Sequence, residues 1–133
     1  MITAVDTSVL LDVFLPDPDF GESSGLALEK ALADSELVIC PEVYAELFPH
    51  FGDARKLDSA LATLGVQVVP TDARAAEVAG RAWLQYRRAG APRTRILTDF
   101  VVGGHALVCA DRLLARDRGF YRACFAGLVV LSP

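Results

Sequence analysis

Short uninterrupted apolar blocks alternate along this chain with longer blocks in which apolar residues recur every three or four positions. Ile2–Val5, Leu37–Cys40, Val66–Val69, Arg112–Ala115 and Leu128–Leu131 are short and rich in Val, Ile and Leu. Such runs suit strands covered on both faces. Between them the period lengthens. Pro41 is placed to open a helix, and Tyr44, Leu47, Phe48 and Phe51 then follow at i, i+3, i+4 and i+7. Asp53 can cap the next helix, whose Leu57, Ala60, Leu61 and Leu64 stripe stops at Gly65. From Asp72 to Ala89, an apolar face of Val78, Ala79, Ala82, Trp83 and Tyr86 predicts a third helix, with Glu77 spaced to pair with Arg81. Strands alternating with helices in this way imply a parallel sheet with helices on both sides.

One segment departs from the amphipathic rule. "TDFVVGGHALVCA", Thr98 to Ala110, is apolar nearly all round, which predicts a helix buried inside the fold. Gly103 and Gly104 each cost about 1 kcal/mol of helix propensity relative to alanine, a cost that close packing against a neighbour would explain. Asp99 is the only acid near the start of this helix.

Composition narrows the class. The 133 residues suit one domain spanning 1–133, and 53% hydrophobic with 23% charged residues excludes disorder. No apolar run reaches membrane-spanning length, and the N-terminus lacks the basic and apolar regions of a signal peptide. The expectation is a soluble cytoplasmic protein that does not engage a membrane. Cys40, Cys109 and Cys124 form no CxxC pair and lie among apolar neighbours, so reduced, buried thiols are expected. A net charge of −4 gives no general attraction to nucleic acid, but Arg87, Arg88, Arg93 and Arg95 form a local basic group.

Chemistry is suggested by where the acids fall. In a doubly wound sheet, ligands bind outside the carboxyl ends of the strands. Asp6 lies just past the first strand, Asp117 just past the "RLLA" strand, Asp99 at the start of the buried helix, and Glu46 in the helix after "LVIC". Helix capping explains Asp6, Asp99 and Asp117 taken singly, and a solvated helix face explains Glu46. Their joint placement adds a second reading. Carboxylates converging on one cleft repel one another unless some bind protons or a cation sits among them. Oxygen-only ligands select hard ions such as Mg2+ or Mn2+, which can polarise a phosphodiester and activate water.

The stretches "VDTSVLLD", "CPEVYAELF", "ILTDFVVGGHAL" and "LLARDRGFY" resemble, in order and spacing, the four acidic motifs of PIN-domain ribonucleases, and most of all the VapC toxins of type II VapBC toxin–antitoxin modules. The closing "GLVVLSP" resembles the last strand of that family. The resemblance implies a three-layer α/β/α sandwich around a mostly parallel five-stranded sheet. It places Asp6, Glu46, Asp99 and Asp117 at the catalytic, metal-binding acids, with Ser8 as a supporting hydroxyl. It implies Mg2+- or Mn2+-dependent endonucleolytic cleavage of RNA, inhibition by a VapB-like antitoxin, and a homodimer. Glu42, one helical turn before Glu46, is an alternative or an assistant to it as second acid.

Other residues carry weaker signals. Arg116 and Arg118 flank Asp117 and either hold a phosphate or face solvent. Asp12 is read as exposed on the first helix, and Asp111 belongs to the opposite sheet edge because it precedes its strand. His50 and His105 lack partners at zinc-site spacing. Phosphoryl transfer through an aspartyl nucleophile would want a second nearby acid and a strand-end lysine. Ser8 stands where that acid would be, and Lys30 and Lys56 are the only lysines. Neither GxGxxG nor GxxxxGK[ST] occurs. The remaining rival is a non-catalytic PIN-fold module that binds RNA or protein.

Overall fold

The computed structural model describes residues 1–92 and 94–133, and Arg93 of the basic group lies outside them. Five strands, β1 (Ile2–Val5), β2 (Glu36–Ile39), β3 (Val66–Val68), β4 (Arg112–Leu114) and β5 (Val130–Leu131), form one sheet in the order β3-β2-β1-β4-β5. Every neighbouring pair is parallel. The expected sheet is therefore fully, not just mostly, parallel. All five expected strands are present, within two residues of their expected bounds. Val5, Leu37, Ile39, Leu113 and Leu114 are at most 1% exposed, as strands sandwiched between helical layers require.

The helices are α1 (Thr7–Phe14), α2 (Gly21–Asp34), α3 (Pro41–Phe51), α4 (Ala54–Thr63), α5 (Ala73–Arg88), α6 (Leu97–Cys109) and α7 (Phe120–Cys124). Their ends obey local chemistry. Asp53 accepts the Arg55 amide and Asp72 the Ala75 amide, each capping its helix, while Gly65 ends α4 with φ +71°. Glu77 and Arg81 pair at 3.2 Å on the exposed face of α5.

Helix α6 is the buried one, packed against α5 and the sheet. Its glycines are demanded by that packing. A Cβ on Gly103 would stand 2.2 Å from the Phe125 ring, and one on Gly104 2.7 Å from the Ala75 carbonyl oxygen. His105 is 1% exposed and its Nε2 lies 2.9 Å from the Val69 carbonyl, so the ring donates to the end of β3 as a neutral core residue.

Three expectations need correction. Of the three cysteines expected to be buried only Cys40 is, while Cys109 and Cys124 are partly exposed at the ends of α6 and α7. On α3 the predicted stripe holds at Leu47, fully buried, and at Tyr44 and Phe51, partly buried against the core, but Val43 is buried with them and Phe48 is 38% exposed. Asp12 is 2% exposed, not solvated. It accepts from Ser24 Oγ at 2.7 Å and pairs with Arg116 at 2.8 Å, which neutralises a carboxylate that burial would otherwise penalise.

Candidate active site

A parallel sheet brings the ends of β1 and β4 to one edge, and the Asp6 amide donates to the Leu114 carbonyl there at 2.9 Å. Asp6 occupies the N-cap of α1, yet its carboxylate makes no capping bond to that helix. Each oxygen instead accepts from a hydroxyl: Oδ2 from Ser8 at 2.7 Å and Oδ1 from Tyr121 at 3.1 Å. Burial pushes the Asp6 carboxyl above its usual range, the two hydroxyls and the Thr7 backbone only partly oppose this, and the charge of Asp99 adds to the rise. Capping therefore does not account for Asp6.

Glu46 projects from α3 and accepts from Thr7 Oγ1 at 2.8 Å, beside Asp6. Its carboxyl is also raised, first by partial burial and further by the charges of Asp6 and Asp99. Glu42 is turned elsewhere, accepting from Thr71 Oγ1 at 2.6 Å near the exit of β3. Of the two glutamates, Glu46 shares the field of Asp6. Asp99, in the first turn of α6, accepts the Ile96 amide at 3.0 Å, so it does cap its helix while contributing charge to the other two acids.

Asp117 sits past β4 as expected, but its carboxylate is engaged locally. Oδ1 accepts the amides of Gly119 (3.0 Å) and Tyr121 (3.2 Å), and Oδ2 lies 3.6 Å from the Arg122 guanidinium. Its side chain is 1% exposed, and it is not among the charges that raise Asp6 or Glu46. It shapes the loop before α7, where Gly119 adopts φ +109°. Asp117 thus holds the backbone of Tyr121, whose hydroxyl holds Asp6. Nothing in the sequence marks Tyr121, because an aromatic beside Phe120 reads as core. Burial and the charges of Asp6 and Asp99 push its hydroxyl far above the ordinary tyrosine range, so it remains a proton donor.

The flanking cations divide. Arg116 is committed to Asp12 and lies 4.2 Å over the Phe20 ring, whereas Arg118 is exposed. His50 is exposed, and Asp111 accepts the Ile2 amide at 2.7 Å on the opposite edge. Cys40 is buried and its thiol is pushed up to about 12, chiefly by burial, which makes it unreactive. Among the described residues no helix is long and apolar enough to cross a membrane.

The structure thus brings Asp6, Glu46 and Asp99 into mutual electrostatic reach, with Asp117 one step behind. Among the described residues no group of three or more His, Cys, Asp or Glu stands close enough together to hold a metal ion as placed. The donor chemistry still fits a hard divalent cation. The groups are carboxylates, two of them held by hydroxyls, the charge of Asp99 raises both Asp6 and Glu46 while that of Asp6 adds to Glu46, and among the described residues no Lys or Arg pairs with Asp6, Glu46 or Asp99.

No curated protein sequence matches the chain. Solved structures do. A chain of VapBC2 from Rickettsia felis, bound to a DNA fragment from its promoter, aligns with TM-score 0.74 at 19% identity, covering 99% of this chain and 98% of that one. A chain of VapBC-1 from nontypeable Haemophilus influenzae gives 0.71 at 20%, covering 99% and 98%. Mycobacterium tuberculosis VapC20, a sarcin–ricin loop cleaving toxin, gives 0.60 at 18%, covering 96% and 98%. At these identities the likeness speaks for the fold. Residues 3–126 also match the PIN domain family, nearly the whole chain, and the chain belongs to that family.

Proposed function

We propose that this chain is the toxin of a type II toxin–antitoxin module and cleaves RNA endonucleolytically with Mg2+ or Mn2+. The observation that carries the reading is the uncompensated trio at the C-terminal sheet edge. Asp6 and Glu46 are both raised in proton affinity with each other's or Asp99's charge among the causes. A divalent ion relieves that repulsion, and Asp6, Glu46 and Asp99 would hold it. Such an ion supplies Lewis-acid stabilisation of a phosphodiester and an activated water. Ser8 and Tyr121 fix the Asp6 carboxylate, and Thr7 holds Glu46. Asp117 orders the loop that carries Tyr121. The whole chain works as one nuclease domain.

The similar structures are VapBC assemblies, a toxin–antitoxin complex and a toxin that cleaves the sarcin–ricin loop. They support a VapB-like antitoxin as partner and RNA as substrate. We take the toxin to be a homodimer in the cytoplasm, where its RNA substrate and antitoxin are made. One observation favours a non-catalytic binding module instead: the acids are not gathered at ligand distance among the described residues. Incubation of the purified chain with RNA separates the two readings. Cleavage with Mn2+, abolished by chelator and by Asp6→Asn or Asp99→Asn, supports the nuclease. RNA left intact under all conditions supports the module.

A further inference from the structure

The last turns of α5 and the segment leading into α6 enclose an open groove of about 700 Å³. Its lining includes Trp83, Tyr86, Arg87, Arg88 and Arg95, and no acid among the described residues. The floor is fixed. Tyr86 donates its hydroxyl to the Pro92 carbonyl at 2.6 Å and packs edge-on against Phe100 and Phe120. The Arg87 guanidinium lies 5.2 Å from the Trp83 ring, and that of Arg95 lies 4.3 Å from the Phe120 ring.

The charge in the groove is uncompensated. Arg81, Arg112, Arg116 and Arg122 each pair with a carboxylate, whereas Arg87, Arg88 and Arg95 pair with none among the described residues. In a chain of net charge −4, a groove whose described lining holds three guanidinia without a carboxylate partner and no acid is a local reversal of sign. The lining of the groove is also linked to the acids through two short chains of contacts. Arg95 adjoins Ile96, whose amide is bound by Asp99. Beneath Arg95, Phe120 packs 5.1 Å from Tyr121, whose hydroxyl reaches Asp6.

We propose that this groove is the subsite for the single-stranded RNA segment flanking the scissile phosphate, an inference that rests on the nuclease reading. Arg87, Arg88 and Arg95 take backbone phosphates, and Trp83 offers a face on which an unpaired base stacks in place of, or against, the Arg87 guanidinium. Cationic side chains interleaved with aromatic faces are the chemistry of single-strand binding. Free arginines favour a polyanion over an apolar peptide, which makes an antitoxin segment the competing occupant.

The test is fluorescence anisotropy of a labelled single-stranded RNA with the full chain in chelator, at several salt concentrations. The Arg87→Ala/Arg88→Ala/Arg95→Ala variant should bind about tenfold or more weakly. Its log affinity against log salt should flatten by about 2, near 0.7 for each phosphate that an arginine no longer neutralises. Its Mn2+ uptake should match wild type, which separates this loss from damage to the acids. Trp83→Leu should weaken binding severalfold with the salt slope unchanged, and exposed Arg88→Glu serves if the triple variant fails to fold. Wild-type affinity and slope in these variants, or loss of antitoxin binding alone, would overturn the assignment. A wild-type chain that neither cleaves RNA nor takes up Mn2+ would remove the nuclease reading itself, a different failure from that of the groove.

Discussion

The two edges of the same sheet treat their acids in opposite ways. At the N-terminal edge, Asp111 accepts the Ile2 amide at 2.7 Å. Arg112 joins Thr3 (2.8 Å) to Asp34 (2.7 Å), and the Thr3 and Ser35 hydroxyls are bonded at 2.7 Å. The Arg112 and Asp111 interactions tie β4 to β1 and to the end of α2, matching charge with charge or amide. At the C-terminal edge, the side-chain bonds that Asp6 and Glu46 accept come only from hydroxyls, and the charge of Asp99 acts on both. The first edge is arranged to hold strands together. The second keeps negative charge concentrated, which favours protonation or a cation and contributes little to folding.

The largest effect should come from breaking the second edge. Asp6→Asn is expected to lower RNA cleavage by on the order of 10²-fold or more, the scale of losing ion-mediated charge stabilisation. Its thermal midpoint without metal should equal or exceed wild type, because one of three like charges is gone. A comparable fall in midpoint would show that Asp6 is structural.

Gly104→Ala probes the buried helix that carries Asp99. Its Cβ meets backbone atoms of Ala75 and Ala79 within 3 Å, so overpacking should outweigh the helix-propensity gain, for a net loss of about 1–2 kcal/mol in urea unfolding. An unchanged unfolding midpoint would mean that α5 can move away from α6.

Arg112→Ala tests the first edge. Loss of about 1 kcal/mol is expected in the same measurement, with cleavage per folded molecule retained. Loss of cleavage without loss of stability would blur the distinction between the edges.

The smallest effect concerns His105. Burial holds its imidazole below the ordinary histidine range. Between that lowered value and the unfolded one, the unfolded chain binds more protons, so stability falls as pH drops below the unfolded histidine value and is level above it. Unfolding of His105→Gln between pH 7 and 5 should show a shallower decline than wild type. Equal slopes would remove this contribution.

Much of the scaffold is legible in the sequence because it depends on neighbours along the chain. The five strands stand out as Val, Ile and Leu runs, and α5 matches its Asp72 and Ala89 flanks. Gly103 and Gly104 point to close packing without revealing Phe125 and Ala75 as the partners. The misreadings depend on distant partners. Asp12 looks solvated because nothing nearby in sequence neutralises it, and its cation, Arg116, arrives 104 residues later. On α3 the periodicity finds Tyr44, Leu47 and Phe51 but counts Phe48 in and leaves Val43 out, because large apolar residues outweigh a valine in the pattern. At the site, the strand-end positions of Asp6 and Asp117 are readable from topology alone. The commitment of Asp117 to the amides of α7 is not, nor is the hydroxyl of Tyr121 on Asp6, because both turn on side-chain direction.

The most direct measurement is the unfolding midpoint of metal-free protein with and without Mn2+, for wild type, Asp6→Asn and Asp99→Asn. An ion bound by the folded acids must stabilise the fold by mass action. A rise in wild type that is lost in both variants is the predicted result. A midpoint indifferent to Mn2+ in wild type, or an equal rise in all three proteins, would contradict a divalent-ion site at the C-terminal edge.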